Sequence, residues 1–193
     1  MDIKEKIHYP QLEIIFDVGA NIGQTQKWLR SYLPLSSVYC FEPVPASFQK
    51  LVSATSYDER TSCFQFAFGS KKESVIIKTF DEDLSVLNSL KADAMNASNY
   101  ALDVEIIVNT IDHFCQKNHL NKIDLLKIDT EGFELEVLRG CEKMLSDGSI
   151  SFVYCETGFQ ISNKRNTYFP DLTDYLAKKG YYFFGLYQMD FHD

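Results

Sequence analysis

Apolar residues fall into two alternating rhythms in this chain. Short unbroken runs alternate with longer stretches at helical spacing. Glu13 to Val18 is too short for a helix and rich in Ile, Val and Phe, which predicts a buried parallel strand. Thr25, Trp28, Leu29, Tyr32 and Leu33 then repeat at i, i+3, i+4, i+7 and i+8, the stripe of an amphipathic helix, and Pro34 ends it. Ser37 to Phe41 predicts a second strand, closed by Glu42-Pro43. Pro45 suits the first turn of a helix whose apolar face is Phe48, Leu51, Val52 and Thr55. Ser62 to Phe68 predicts a third strand, ended by Gly69. Two further strands are expected at Ser74 to Phe80 and Val104 to Val108, and Asp112 caps a short helix through Asn118.

Ile123 to Asp129 predicts the fourth strand of the main series. The helix after it carries Phe133, Val137, Leu138, Cys141 and Leu145 inward and closes at Asp147-Gly148. Ile150 to Cys155 is a fifth strand, ending at Glu156. A last helix, Asp171 to Lys179, turns Leu172, Tyr175 and Leu176 inward, with Gly180 at its C′ position. Tyr181 to Tyr187 predicts a sixth strand. Strands alternating with helices predict an α/β, Rossmann-like sandwich: a mostly parallel sheet with helices on both faces.

Gly19, Ala20, Asn21, Ile22 and Gly23 join the first strand to the first helix. Ligands of such sheets sit at the carboxyl ends of the strands. A dinucleotide fingerprint would read Gly-x-Gly-x-x-Gly, but here the pattern is Asp17-x-Gly19-x-Asn21-x-Gly23. Asn21 at the second-glycine position narrows the approach of a diphosphate. An acid at the strand end suits a ligand with an amino group. S-adenosylmethionine (SAM) has one, beside a carboxylate that can take free backbone N–H groups. Glu42 follows Asp17 by about 25 residues, where a ribose diol is held in this architecture. The plain alternative is a surface acid before a proline. Ala67 and Phe68 end the third strand and would adjoin an adenine, or simply pack.

The fourth strand carries the densest charge. Lys127 and Asp129 point to one face, and Asp129, Glu131 and Glu134 cluster past its carboxyl end. A buried charge without a partner costs several kcal/mol, so these groups pair or face a cavity. An internal ion pair of Lys127 with Asp129 or Glu156 is the structural alternative. Glu134 is read as facing solvent or favouring the helix N-terminus. Asp81 to Asp103 is polar and long, and reads as a flap near the substrate, with Ser85, Asn88 and Ser89 as candidate contacts.

At 193 residues one domain, 1–193, is expected, with fifteen Phe and eleven Tyr to fill its core. The net charge of −8 argues against a nucleic-acid backbone or an anionic membrane as main partner. No run is long enough for a membrane span, and the N-terminus lacks a signal-peptide core. The five cysteines form no Cys-x-x-Cys and read as reduced core residues of a cytoplasmic protein. His113-x-Cys115-x-x-x-His119 reads as incidental, and no metal is assigned.

Five motifs occur in order: Asp-Val-Gly-Ala-Asn-Ile-Gly-Gln (17–24), Phe-Glu-Pro-x-Pro (41–45), Ala-Phe-Gly-Ser (67–70), Thr-Ile-Asp (110–112) and Leu-Leu-Lys-Ile-Asp-Thr-Glu-Gly-Phe-Glu-x-Glu-Val-Leu-x-Gly (125–140). Together they resemble the FkbM family of SAM-dependent methyltransferases. The resemblance implies a class I methyltransferase sheet, SAM as methyl donor, and an acceptor hydroxyl on a sugar or natural product. It implies a cofactor site of Asp17, Gly19, Ala20, Asn21, Gly23, Glu42, Pro43, Ala67 and Phe68, and a methyl-transfer site at Asp129 and Glu131. A small-molecule or carbohydrate acceptor follows. One departure stands out: the chain stops soon after the sixth predicted strand, and no seventh strand is found. The expectation is a domain C-terminally shortened relative to that class, with a sheet edge open to pairing with a second copy. A variant with Mg²⁺ on the carboxylates stays open. Rival readings are a non-catalytic SAM-binding protein and an NAD-dependent oxidoreductase.

Overall fold

In a computed structural model of the protein, residues 12–79, 102–162 and 165–187 are described. The expected lead-in before residue 12, the flap with Ser85, Asn88 and Ser89, and the last six residues lie outside them. β1 (Ile14–Val18) lies at the centre of a five-stranded parallel sheet. It pairs with β2 (Ser37–Phe41) on one side and β7 (Ile123–Ile128) on the other. β3 (Thr61–Phe64) and β8 (Ile150–Cys155) form the edges, giving the order β3-β2-β1-β7-β8. All six residues of β7 are buried, as expected of a parallel strand covered on both faces. The strand order reverses between β1 and β7, so their carboxyl ends open a crevice.

Helices cover both faces. α1 (Gln24–Tyr32) and α2 (Pro45–Thr55) bury Leu29 and Leu51 against Ile15, Val38, Cys40 and Leu125. α3 (Ile111–Lys117), α4 (Glu134–Arg139), α5 (Glu142–Ser146) and α6 (Phe169–Ala177) lie on the other face, over Phe16, Phe41, Leu126 and Ile128. Phe114 of α3 is the hub there. It meets the rings of Phe16, Tyr39, Phe41, Phe64, Phe66 and Phe68 at centroid distances of 5.0 to 6.4 Å.

Four sequence expectations are corrected. The third strand is broken at Gln65-Phe66: β3 stays in the main sheet, while β4 (Ala67–Phe68) starts a second one. There β4 runs parallel to β6 (Leu102–Asn109), which pairs antiparallel with β5 (Glu73–Thr79). The helix after β7 breaks into α4 and α5 around Gly140, where a Cβ would lie 2.1 Å from the Gly69 carbonyl oxygen. Trp28 and Tyr32 of the predicted inward stripe are more than one-third exposed, their rings in tilted contact with each other, while Gln26 is buried on Asp58 and Thr61. Tyr181 to Tyr187 forms no strand, so β8 is an edge. Among the described residues, no helix is long and apolar enough to cross a membrane.

Phe114→Ala is expected to cost about 3–5 kcal/mol, the range for emptying a buried aromatic site. Denaturant unfolding would measure it as a lower midpoint at unchanged slope.

Candidate active site

Two turns meet at the crevice. The first follows β1. Gly19, Asn21 and Gly23 have φ of 79°, 47° and 93°, a left-handed path that favours glycine and tolerates asparagine. At Gly19 the reason is also spatial, because a Cβ would sit 1.9 Å from the Asp129 carbonyl oxygen. The turn is tied to β2: the N–H groups of Gly19 and Ala20 both donate to the Phe41 carbonyl at 3.0 Å. The Asn21 N–H donates to Glu42 Oε2 at 3.0 Å, and Gly23 N–H to the Ala20 carbonyl at 2.9 Å. These four amides are therefore committed to the turn itself.

Glu42 is buried, and its other oxygen accepts the Val44 N–H at 2.9 Å. Burial pushes its carboxyl up to about 7, against the lowering effect of those two amides. Pro43 holds the chain between these contacts, half-buried. Each Glu42 oxygen keeps a lone pair for a further donor. The Asn21 Oδ1 is buried and has no hydrogen-bond partner among the described residues. An acceptor in that state calls for a ligand donor. Together these two groups fit the amino and ribose ends of SAM.

The second turn follows β7. Glu131 and Gly132 have φ of 50° and 97°. Glu134, read as facing solvent or favouring the helix N-terminus, lies in the first turn of α4 but is buried, and it organises the turn after β7 from beneath. Its Oε1 accepts the N–H groups of Thr130 and Gly132, both at 3.0 Å, and its Oε2 accepts the Thr167 hydroxyl at 2.5 Å. Next to Thr167, Arg165 pairs with Glu131 at 3.2 Å and Asn166 donates to Glu156 at 2.9 Å. Three consecutive residues thus fasten one loop to three carboxylates. Sequence reasoning missed this loop, since only its pairing with distant acids reveals it. Glu156 was legible as the acid ending β8, the counterpart of Asp129 beyond β7.

Lys127 joins the turns. Its Nζ is 3.0 Å from Asp17 Oδ1 and 3.2 Å from Asp129 Oδ2. Burial disfavours its charge, but the two carboxylates outweigh this and hold it above the ordinary lysine range. The ion-pair alternative therefore holds for Lys127, with Asp17 added as a partner. Asp17 is fully buried beside it, whereas the Asp129 side chain, at the carboxyl end of β7, is 42% exposed. Burial, then a hydrogen bond and repulsion from Asp129, push Glu156 up to about 7. Burial likewise raises Glu131, with Arg165 opposing.

Ala67 is buried beside Val44 and Val108, and Phe68 is fully buried among Phe16, Phe41, Phe66 and Phe114. Phe68 is enclosed as core in this arrangement. Thr110 caps α3 in place of the expected Asp112, which lies one residue inside the helix and whose carboxylate accepts the Lys143 and Met144 N–H groups at the start of α5. The Thr-Ile-Asp motif is thus a structural clamp. Cys115 is buried while His119 is exposed, so those two point apart.

Residues 17–183 match the model of the methyltransferase FkbM domain. The chain belongs to the FkbM methyltransferase family. Among curated relatives, the 2-O-methyltransferase NoeI of Sinorhizobium fredii is 24% identical over 153 residues, covering 74% of this chain and 62% of that protein. The hexuronic acid methyltransferase AglP of Haloferax volcanii is 29% identical over 146 residues, covering 75% and 55%. The chain spans 55% to 62% of the length of the curated relatives it matches. A solved FkbM methyltransferase from Methylobacillus flagellatus KT shares the fold, with a TM-score of 0.57 at 20% identity, covering 86% of this chain and 37% of that one.

Two outcomes test the electrostatics. Lys127→Met leaves the Asp17 carboxyl buried without its cationic partner, with an expected cost of about 3–5 kcal/mol, most of it recovered in the Asp17→Asn/Lys127→Met double variant. For Glu42 the folded value, about 7, lies above the ordinary 4.5. Its proton therefore stabilises the fold fully below about pH 4.5, and that contribution is lost as pH rises to about 7. Across that window the unliganded protein should lose on the order of 3 kcal/mol that Glu42→Gln keeps, read by denaturant unfolding at several pH values.

Proposed function

We propose that this chain is a SAM-dependent O-methyltransferase whose acceptor is a hydroxyl on a sugar or related small molecule. The observation that carries the reading is the meeting of two turns at the switch point: one offers a buried orphan acceptor, Asn21 Oδ1, and the carboxylate of Glu42, the other a carboxylate open to the crevice, Asp129. Family membership and the similarity to the 2-O-methyltransferase NoeI and the hexuronic acid methyltransferase AglP support it.

Bound SAM would supply an activated methyl group on a sulfonium. Asn21 Oδ1 would accept from its ammonium group, with Asp17 adding negative potential from behind. The Glu42 carboxylate would accept the ribose hydroxyls, and Gly19, Ala20, Gly23 and Pro43 would shape the cradle. Ala67 would line the adenine end and Phe68 would support it from the core. Holding methyl donor and acceptor oxygen in line removes several kcal/mol of barrier without further chemistry.

Asp129 is assigned as the proton acceptor for the attacking hydroxyl. Lys127 fixes its position at 3.2 Å, and neighbouring Glu156, raised to about 7, can receive the proton in turn. Glu131 is turned to Arg165, so its proposed part is to place that guanidinium at the acceptor's edge. We read the protein as cytoplasmic from its five free thiols, with self-association through the β8 edge as a further expectation.

The test is calorimetric titration with S-adenosylhomocysteine followed by a glycan and polyol screen with labelled SAM. Binding in the micromolar range and label transfer are expected. Asp129→Asn should leave the affinity within about twofold and lower turnover by roughly 10²–10⁴, the usual contribution of a general base. A folded protein without affinity for S-adenosylhomocysteine would refute the cofactor assignment.

A further inference from the structure

A row of side chains crosses the main sheet in register. Cys63, Cys40, Asp17, Lys127 and Tyr154 are successive partners from β3 to β8. Aligned residues of parallel strands point to the same face, here that of α1 and α2. Asp17 and Lys127 belong to the site already described. The two cysteines at the end of the row have no part in it.

Cys40 and Cys63 are direct partners on adjacent strands. Adjacent strands lie about 4.8 Å apart, within the Cα separation of about 4.4–6.8 Å that a disulfide spans. Cys40 is fully buried, whereas Cys63 is half-buried at the edge strand. The Thr55 hydroxyl lies 3.3 Å from Cys63 Sγ. The two thiols interact with each other: the contact with Cys63 and burial raise Cys40, and the contact with Cys40 lowers Cys63 to about 6. The more accessible sulfur is therefore also the readier thiolate. The other three cysteines lie with the core of the opposite face: Cys115 and Cys141 within it, Cys155 packed against it.

We propose that Cys40 and Cys63 form a reversible disulfide site that takes a peroxide as oxidant. The Cys63 thiolate attacks one peroxide oxygen and becomes a sulfenic acid, and the other oxygen leaves as hydroxide. The hydroxide released in that step takes the Cys40 proton as water, and the Cys40 thiolate attacks the sulfenic sulfur. The sulfenic hydroxyl leaves as hydroxide, and the S–S bond forms. Two electrons pass from the thiol pair to the peroxide. A dithiol reductant reverses the step. The bond draws Cys40 toward β3 and away from Asp17, its partner on β1, two residues before Glu42. Oxidation should thus be felt at the turn that Glu42 holds.

The test treats the reduced full chain with stoichiometric hydrogen peroxide, then maps alkylated peptides by mass spectrometry. The expected product is a Cys40–Cys63 linked peptide, with the intact mass lower by two hydrogens, restored by dithiothreitol. Under the same treatment Cys63→Ser should form no bond and lose no hydrogens. Sulfinic acid at Cys63 without cross-linking, or a bond among Cys115, Cys141 and Cys155, would overturn the proposal. S-adenosylhomocysteine should bind the oxidised form several-fold more weakly than the reduced form, and equal affinity would overturn the coupling to the Glu42 turn. That last comparison rests on the cofactor reading. The peptide map does not, so the two fail separately: no binding by the reduced protein would count against the cofactor alone.

Discussion

A buried lysine between two aspartates is the constraint on which the rest of this structure depends. Lys127 lies in a strand whose every residue is buried, and an isolated ammonium there would be untenable. Asp17 and Asp129 answer it from the central strand and from the turn beyond β7. The pairing fixes the register of β1 against β7 at the point where the sheet order reverses. It also sets which carboxylate is left facing the crevice. Asp17 is enclosed and serves the lysine, while Asp129 is shared between the lysine and open space.

Much of the site's order comes from acids accepting backbone N–H groups rather than from acids meeting bases. Glu42 holds Asn21 and Val44, Glu134 holds Thr130 and Gly132, and Asp112 holds Lys143 and Met144. In each case one carboxylate satisfies two amides that a turn or helix start leaves without partners. Glu42 is thereby both a clamp for the glycine turn and a ligand candidate.

The parallel sheet and its helices were legible in the sequence, because buried strands and amphipathic helices carry strong periodicity, whereas the strand order that makes the switch point appears only in the fold. Asp17, the glycine turn, Glu42 and Asp129 were legible from spacing. Other features depend on contacts between distant residues. Gly140 reads as a helix ending only once Gly69 lies against it, and a strand pattern from Ser62 to Phe68 does not reveal that the chain changes sheets at Gln65. Glu134 is inward because Thr167 meets it from more than thirty residues away. Gln26 takes an inward place that Trp28 was expected to fill, because Asp58 and Thr61 give its amide two partners. Periodicity ranks residues by hydrophobicity and misses a polar group whose partner is elsewhere.

The position of β7 has a consequence for how the chain acquires its fold. β1 is complete at Val18, and β2 follows close behind to cover one of its edges. Its other edge waits for Ile123–Ile128, more than a hundred residues later. During synthesis at about 5–20 residues per second, β1 would stand with an unpaired edge for several seconds before that neighbour arrives. The second sheet is made in that interval from nearer segments. A strand with Ile14, Ile15 and Phe16 on an open edge is adhesive, and its aspartate is a charge without a counter-ion until β7 docks. The lysine that completes the site is also the residue that ends this exposure.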